Sequence, residues 1–206
     1  MKYMISTAAI FGLATGYMYT FVNDEVVTNI LSLDTGAVGF LNAITSGVAM
    51  LKALIFMMFT HTHIKQIMLV AGAVSSFMIG FLFIAMPDVE SWNWAPLVSV
   101  YVFMGIGRAS YESTAWALFA DFFPRDTEAA FANKSLWTGL GGVAGFCLAY
   151  HVPWVLLQWL IMIVATMQVV GYYRTAYLFK KELEVEAESH DRDKYWYTGT
   201  DSIVSL

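Results

Sequence analysis

Residues Gly105 to Asn133 read GIGRASYESTAWALFADFFPRDTEAAFAN, and this stretch decides how the chain is organised. It opens in an apolar, helix-compatible run that nevertheless carries Arg108 and Glu112. A spacing of four places both on one helix face, where they can pair. The stretch then reaches Pro124, which stops a helix, and Asp126-Thr127-Glu128, whose acids suit the positive N-terminal end of the next one. It therefore reads as a helix, a tight turn and a second helix.

Around this stretch the chain is strongly apolar. Its 206 residues are 58% hydrophobic, 16% aromatic and 13% charged, with a mean hydropathy of +0.60. A soluble core of this size cannot bury that much apolar surface, so a lipid bilayer is the expected solvent and the expected class is an all-α integral membrane protein. The net charge of -5 lies in the tail and loops rather than in a basic patch, so no nucleic-acid partner is expected. No phosphate-binding glycine loop, metal-ligand spacing or nucleophile elbow occurs, so the expectation is no catalytic residue, no metal and no cofactor. The single Cys147 reads as a small buried packing residue.

Hydrophobic runs mark six expected transmembrane helices, at about 4–21, 36–59, 67–86, 95–119, 133–150 and 154–173. Each is long enough for a ~30 Å hydrocarbon core at a rise of ~1.5 Å per residue. Together they make a bundle over residues 1–178, followed by a polar tail over 179–206 whose start, KKELEVEAE, reads as helix continuing into solvent. If the spans alternate, Lys2, Lys65, Arg125, Lys134, Arg174, Lys180, Lys181, Arg192 and Lys194 fall on one side. Asp24, Glu25, Asp34, Asp88 and Glu90 occupy the other, which predicts cytosolic termini, or their topological equivalent in an organelle.

Two basic residues remain inside spans. Lys52 lies near enough to the inner end for its ammonium to snorkel to the interface, the alternative being a buried functional role. Arg108 lies about 13 residues, or ~20 Å, from the start of its span, close to the expected bilayer midplane. A charge at that depth costs about 2.5–3.5 kcal/mol, so Arg108 and Glu112 are expected to face protein or a wet cavity. Tyr111, Ser113 and Thr114 are expected to join them in one polar patch, as a structural ion pair, as a substrate or proton-coupling site, or as a contact with another protein. Small residues supply the expected packing surfaces: Gly12 and Gly16 in the first helix, and Gly139, Gly141, Gly142 and Gly145 in the fifth. The third helix reads as lipid-facing, with Ser75 and Ser76 satisfied on its own carbonyls. Trp92 and Trp94 sit where an aromatic belt is expected.

The run EAAFANKSLWTGLG, Glu128 to Gly141, together with Gly105-Ile106-Gly107, Tyr111, Ser113 and Ala117-Leu118, resembles the second half of the uncoordinated-ninety-three-like proteins, a branch of the major facilitator superfamily. The resemblance implies half of a twelve-helix fold, built as three plus three helices in inverted repeat, with any central cavity lying between halves. It also implies a non-enzymatic role, because several members are described as regulators or trafficking partners of other membrane proteins. The expected partners are the bilayer and either other membrane proteins or a second six-helix half. Two departures weigh against conventional transport. Family members tend to carry an acid at Arg108 and an amide at Glu112, and Thr60 to Gln66 lacks the glycine, acid and paired basic residues of the superfamily's gating loop.

Overall fold

A computed structural model describes residues 2–58, 62–122 and 126–201 of the chain. Among the described residues all regular structure is helical, in six rods. Helix α1 is Lys2–Tyr17 and continues as π-helical turns through Met18–Ile30. Helix α2 is Thr35–Met58 and α3 is Thr62–Ala85. Helix α4 begins as Trp94–Ala109, passes through a π turn at Ser110–Thr114 and ends as Ala115–Phe122. Helix α5 is Thr127–His151 and α6 is Trp154–Asp201. Thr35–Met58, Ile67–Ala85 and Trp154–Leu178 are long and apolar enough to cross a membrane.

Several boundaries move outward from the hydropathy runs. α1 passes Phe21 and crosses Asn23-Asp24-Glu25 because Val22 just before them and Val26 and Val27 just after are fully buried and hold the extra turns against the bundle. Ser32, at φ 50°, then turns the chain out of α1, and Asp34 caps α2 by accepting the Ala37 N–H at 2.9 Å. α5 starts at Thr127, well before Asn133, since its acidic first turn is good helix but poor hydrophobic span. α6 continues past Tyr173 to Asp201, through helix-forming Lys, Glu, Leu and Ala. The links holding His61 and Pro124 lie outside the described residues, as does the side chain of His63.

Packing follows a definite pattern. α1 rests on α5 and α6, α4 rests on α2 and α3, and α3 packs on α6 between them. An aromatic cluster closes one end: Tyr17, Phe21, Phe83 and Trp92 pack with Leu97, Val100 and Tyr101. This corrects two expectations. α3 is a core helix, with Leu69, Ala73, Ile79 and Phe83 buried. Trp92 is buried rather than interfacial, stacks on Phe83 with centroids 4.7 Å apart and donates Nε1–H to Met86 O at 3.0 Å. Ser75 and Ser76 do donate to Ala71 O and Gly72 O, as their spacing implied. Cys147 is exposed.

The glycines divide. A Cβ on Gly12 would collide with Thr138 O, and one on Gly141 with Ala9 O. One on Gly16 would lie 2.6 Å from Gly142 O, and one on Gly145 would lie 2.5 Å from Leu13 O, so α1 and α5 touch backbone to backbone. Gly142 has ordinary room and Gly139 faces open space, which removes Gly139 from the packing surface. α2 is the opposite case, with only Leu41 and Thr45 buried and Phe40, Met50, Leu51, Leu54, Met57 and Met58 exposed.

Candidate functional site: a polar groove on α4

Arg108 stands at the midpoint of the rod 94–122, one residue pair before the π turn. Its Nε donates to Glu112 Oε1 at 2.8 Å, so the pair inferred from spacing is formed. Both side chains are partly open, at 39% and 48% exposure. They border a half-open cavity of about 290 Å³ lined by α1, α2, α4 and α5, whose walls include Phe11, Thr15, Asn42, Thr45, Met104 and Thr138. A second cavity of about 270 Å³ lies on their other side against α2, and Ser113 reaches it.

Tyr111 and Thr114 do not join this patch. Tyr111 is buried, its ring stacks on Phe11 at 4.6 Å, and its hydroxyl donates to Gln168 Oε1 on α6. Thr114 is also buried. The reason is geometric: a residue three positions on is offset around the helix, and the π turn adds a residue, which rotates the following segment by roughly 100°. The expected five-residue patch is therefore Arg108, Glu112 and Ser113.

Two lysines turn inward, against expectation. Lys52 does not snorkel. Its ammonium donates to Ile106 O at 2.9 Å, to Met68 O at 3.2 Å and to Ser110 Oγ, tying α2 to α3 and α4. Lys134 is 6% exposed, donates to Tyr111 O at 3.2 Å, and its ammonium lies 3.6 Å from the centre of the Trp116 ring. It is close enough to Glu112 for their charges to interact. Each lysine had a visible signal. Lys52 stands seven residues after the buried Thr45, and Lys134 seven before the buried Gly141, so each shares its helix's packing face.

Two glutamines complete the interior. Tyr17 donates to Gln158 Oε1 at 2.8 Å, and Tyr111 makes the equivalent bond to Gln168. Both amide nitrogens are buried without a partner among the described residues. Among the described residues no group of His, Cys, Asp or Glu could hold a metal ion. Comparison of the chain with protein-family models, with curated proteins and with solved structures finds no match.

Proposed function

We propose that this chain is a six-span membrane protein that serves as a non-enzymatic subunit of a larger membrane assembly, joined to its partner through α2 and the outer face of α5. The observation that carries this reading is α2, a 24-residue apolar helix with two buried residues. Lipid could cover such a face, but α2 and α5 also flank the Arg108–Glu112 groove. Leu136, Leu140, Val143 and Phe146 are exposed on α5 beside it. A partner seated on both flanks would roof the charged pair, whereas lipid there would leave ions facing hydrocarbon at about 2.5–3.5 kcal/mol each.

The packing pattern favours the implied lineage. Exchanging α1 with α4, α2 with α5 and α3 with α6 converts the α1–α5 contact into α4–α2 and the α1–α6 contact into α4–α3, and leaves α3–α6 unchanged. Such self-mapping is what three plus three helices in inverted repeat produce, and it agrees with half of a major-facilitator-type fold. Cytosolic termini remain part of the proposal, with Lys134 removed from the charge bias that motivated them.

A second reading, half of a secondary transporter, draws on one specific observation: the groove combines a charged pair with a cavity of about 290 Å³. The decisive experiment is mass measurement after mild extraction from the native membrane. Subunit status predicts a particle containing protein beyond the 23.0 kDa chain. A particle holding one chain and lipid would sink it. If a second six-helix bundle co-purifies, uptake into vesicles that is abolished by joint Arg108→Gln and Glu112→Gln replacement would select transport.

A further inference from the structure

We infer that the groove bounded by α1, α2, α4 and α5 binds a small organic carboxylate on the Arg108 guanidinium, and that its arrival hands Glu112 from Arg108 to Lys134. The first support is the donor inventory of the walls. Thr15, Asn42, Thr45 and Thr138 border the cavity, yet each donates to a backbone carbonyl: Phe11 O at 2.8 Å, Val38 O at 3.0 Å, Tyr101 O at 3.1 Å and Lys134 O at 2.9 Å. Arg108 engages only Nε, leaving the N–H bonds of both Nη nitrogens without a partner among the described residues. A planar fork with two free nitrogens matches a carboxylate, which it can hold through two parallel bonds. The cavity is at the small end of ligand sites, which limits the occupant to a compact molecule.

The second support is charge. Lys52 and Lys134 both end against the 106–116 segment of α4 that carries Arg108; of these three bases, Arg108 pairs with Glu112 and Lys134 feels its charge, while Lys52 meets no carboxylate among the described residues. Lys52 is satisfied by carbonyl and hydroxyl dipoles, and Lys134 by one carbonyl and an aromatic face. In a low-dielectric site this excess favours an anion. An incoming carboxylate on Arg108 repels Glu112, and the cation whose charge Glu112 already feels is Lys134, which uses one of its three N–H donors on Tyr111 O. Trp116 lies against that ammonium and so reports the exchange. Glu112 stands within the π turn Ser110–Thr114, a backbone irregularity often found at functional sites.

The test uses the full chain in phosphatidylcholine nanodiscs, with cyclohexanecarboxylate as the probe and cyclohexanecarboxamide as its neutral counterpart. A saturable change in tryptophan emission is expected with the acid, at an affinity at least tenfold above that of the amide. Trp116→Phe removes the signal, and Glu112→Gln keeps acid binding by calorimetry while losing the Trp116 response. Arg108→Gln weakens binding at least tenfold; should that variant not fold, the acid and amide comparison on the unsubstituted chain decides. Equal binding of acid and amide overturns the site, and a signal surviving Trp116→Phe overturns the hand-over. Loss of acid binding when anionic lipid is added to the discs reassigns the groove to a lipid headgroup and overturns the proposal. Because only this chain's groove is needed, a single-chain particle in mild extraction would refute the assembly reading, while acid binding in the discs would leave this one standing.

Discussion

The α1–α5 and α2–α4 seams occupy corresponding places in the packing, yet they are closed by different means. Along α1–α5 the helices meet through glycine: Gly12, Gly16, Gly141 and Gly145 leave no space for a Cβ. Along α2–α4 only Gly105 does this, with a Cβ there lying 2.6 Å from Thr45 O, and polar side chains make up the rest. Thr45 donates to Tyr101 O at 3.1 Å and Lys52 to Ile106 O. Close backbone approach and interhelical hydrogen bonds are two sources of adhesion between apolar helices, and each seam uses mainly one. The glycine seam tolerates no added volume, whereas the polar seam can lose a bond and persist.

The largest expected effect follows from that difference. Gly12→Leu drives a side chain into the Thr138 backbone and should cost ~3 kcal/mol or more, seen as loss of a monodisperse folded species, while Gly139→Leu should change stability by less than about 0.5 kcal/mol. Comparable losses at the two positions would break the glycine account. Next comes Tyr111→Phe, which strips the partner from Gln168 Oε1 when its Nε2 already lacks one; about 1–3 kcal/mol of thermal stability should disappear. Lys52→Met should cost about 1 kcal/mol, since interhelical polar contacts in membranes are individually modest. If Lys52→Met proved as damaging as Gly12→Leu, the contrast between the seams would collapse. Smallest is the pair Leu54→Ala and Met57→Ala on exposed α2, expected to leave the isolated chain within about 0.5 kcal/mol while weakening its recovery with a partner in mild extraction.

The candidate site was legible to the extent that it is local. Four-residue spacing is a property of a single helix, so the Arg108–Glu112 contact followed directly from the order of residues. Tyr111 and Thr114 are close to that pair in sequence but do not share its face, and both lie within the π turn Ser110–Thr114. Lys134 stands at the expected inner end of the fifth helix, where hydropathy places a charged residue at the membrane surface. The glycine register running back from Gly145 and Gly141 places it on the packing face.

Sequence by itself determined the all-helical character of the described residues, their six rods, the three helices long and apolar enough to cross a membrane, and the charged pair at the centre of α4. Tertiary structure alone decided that Gly139 is idle while Gly141 is wedged, that α3 is core, and that Lys52 and Lys134 turn inward. The physical reason is that helix periodicity and pairing within a helix are set by neighbours a turn away. Whether a face is buried, and which carbonyl an ammonium meets, depends on a second helix whose approach no single stretch encodes.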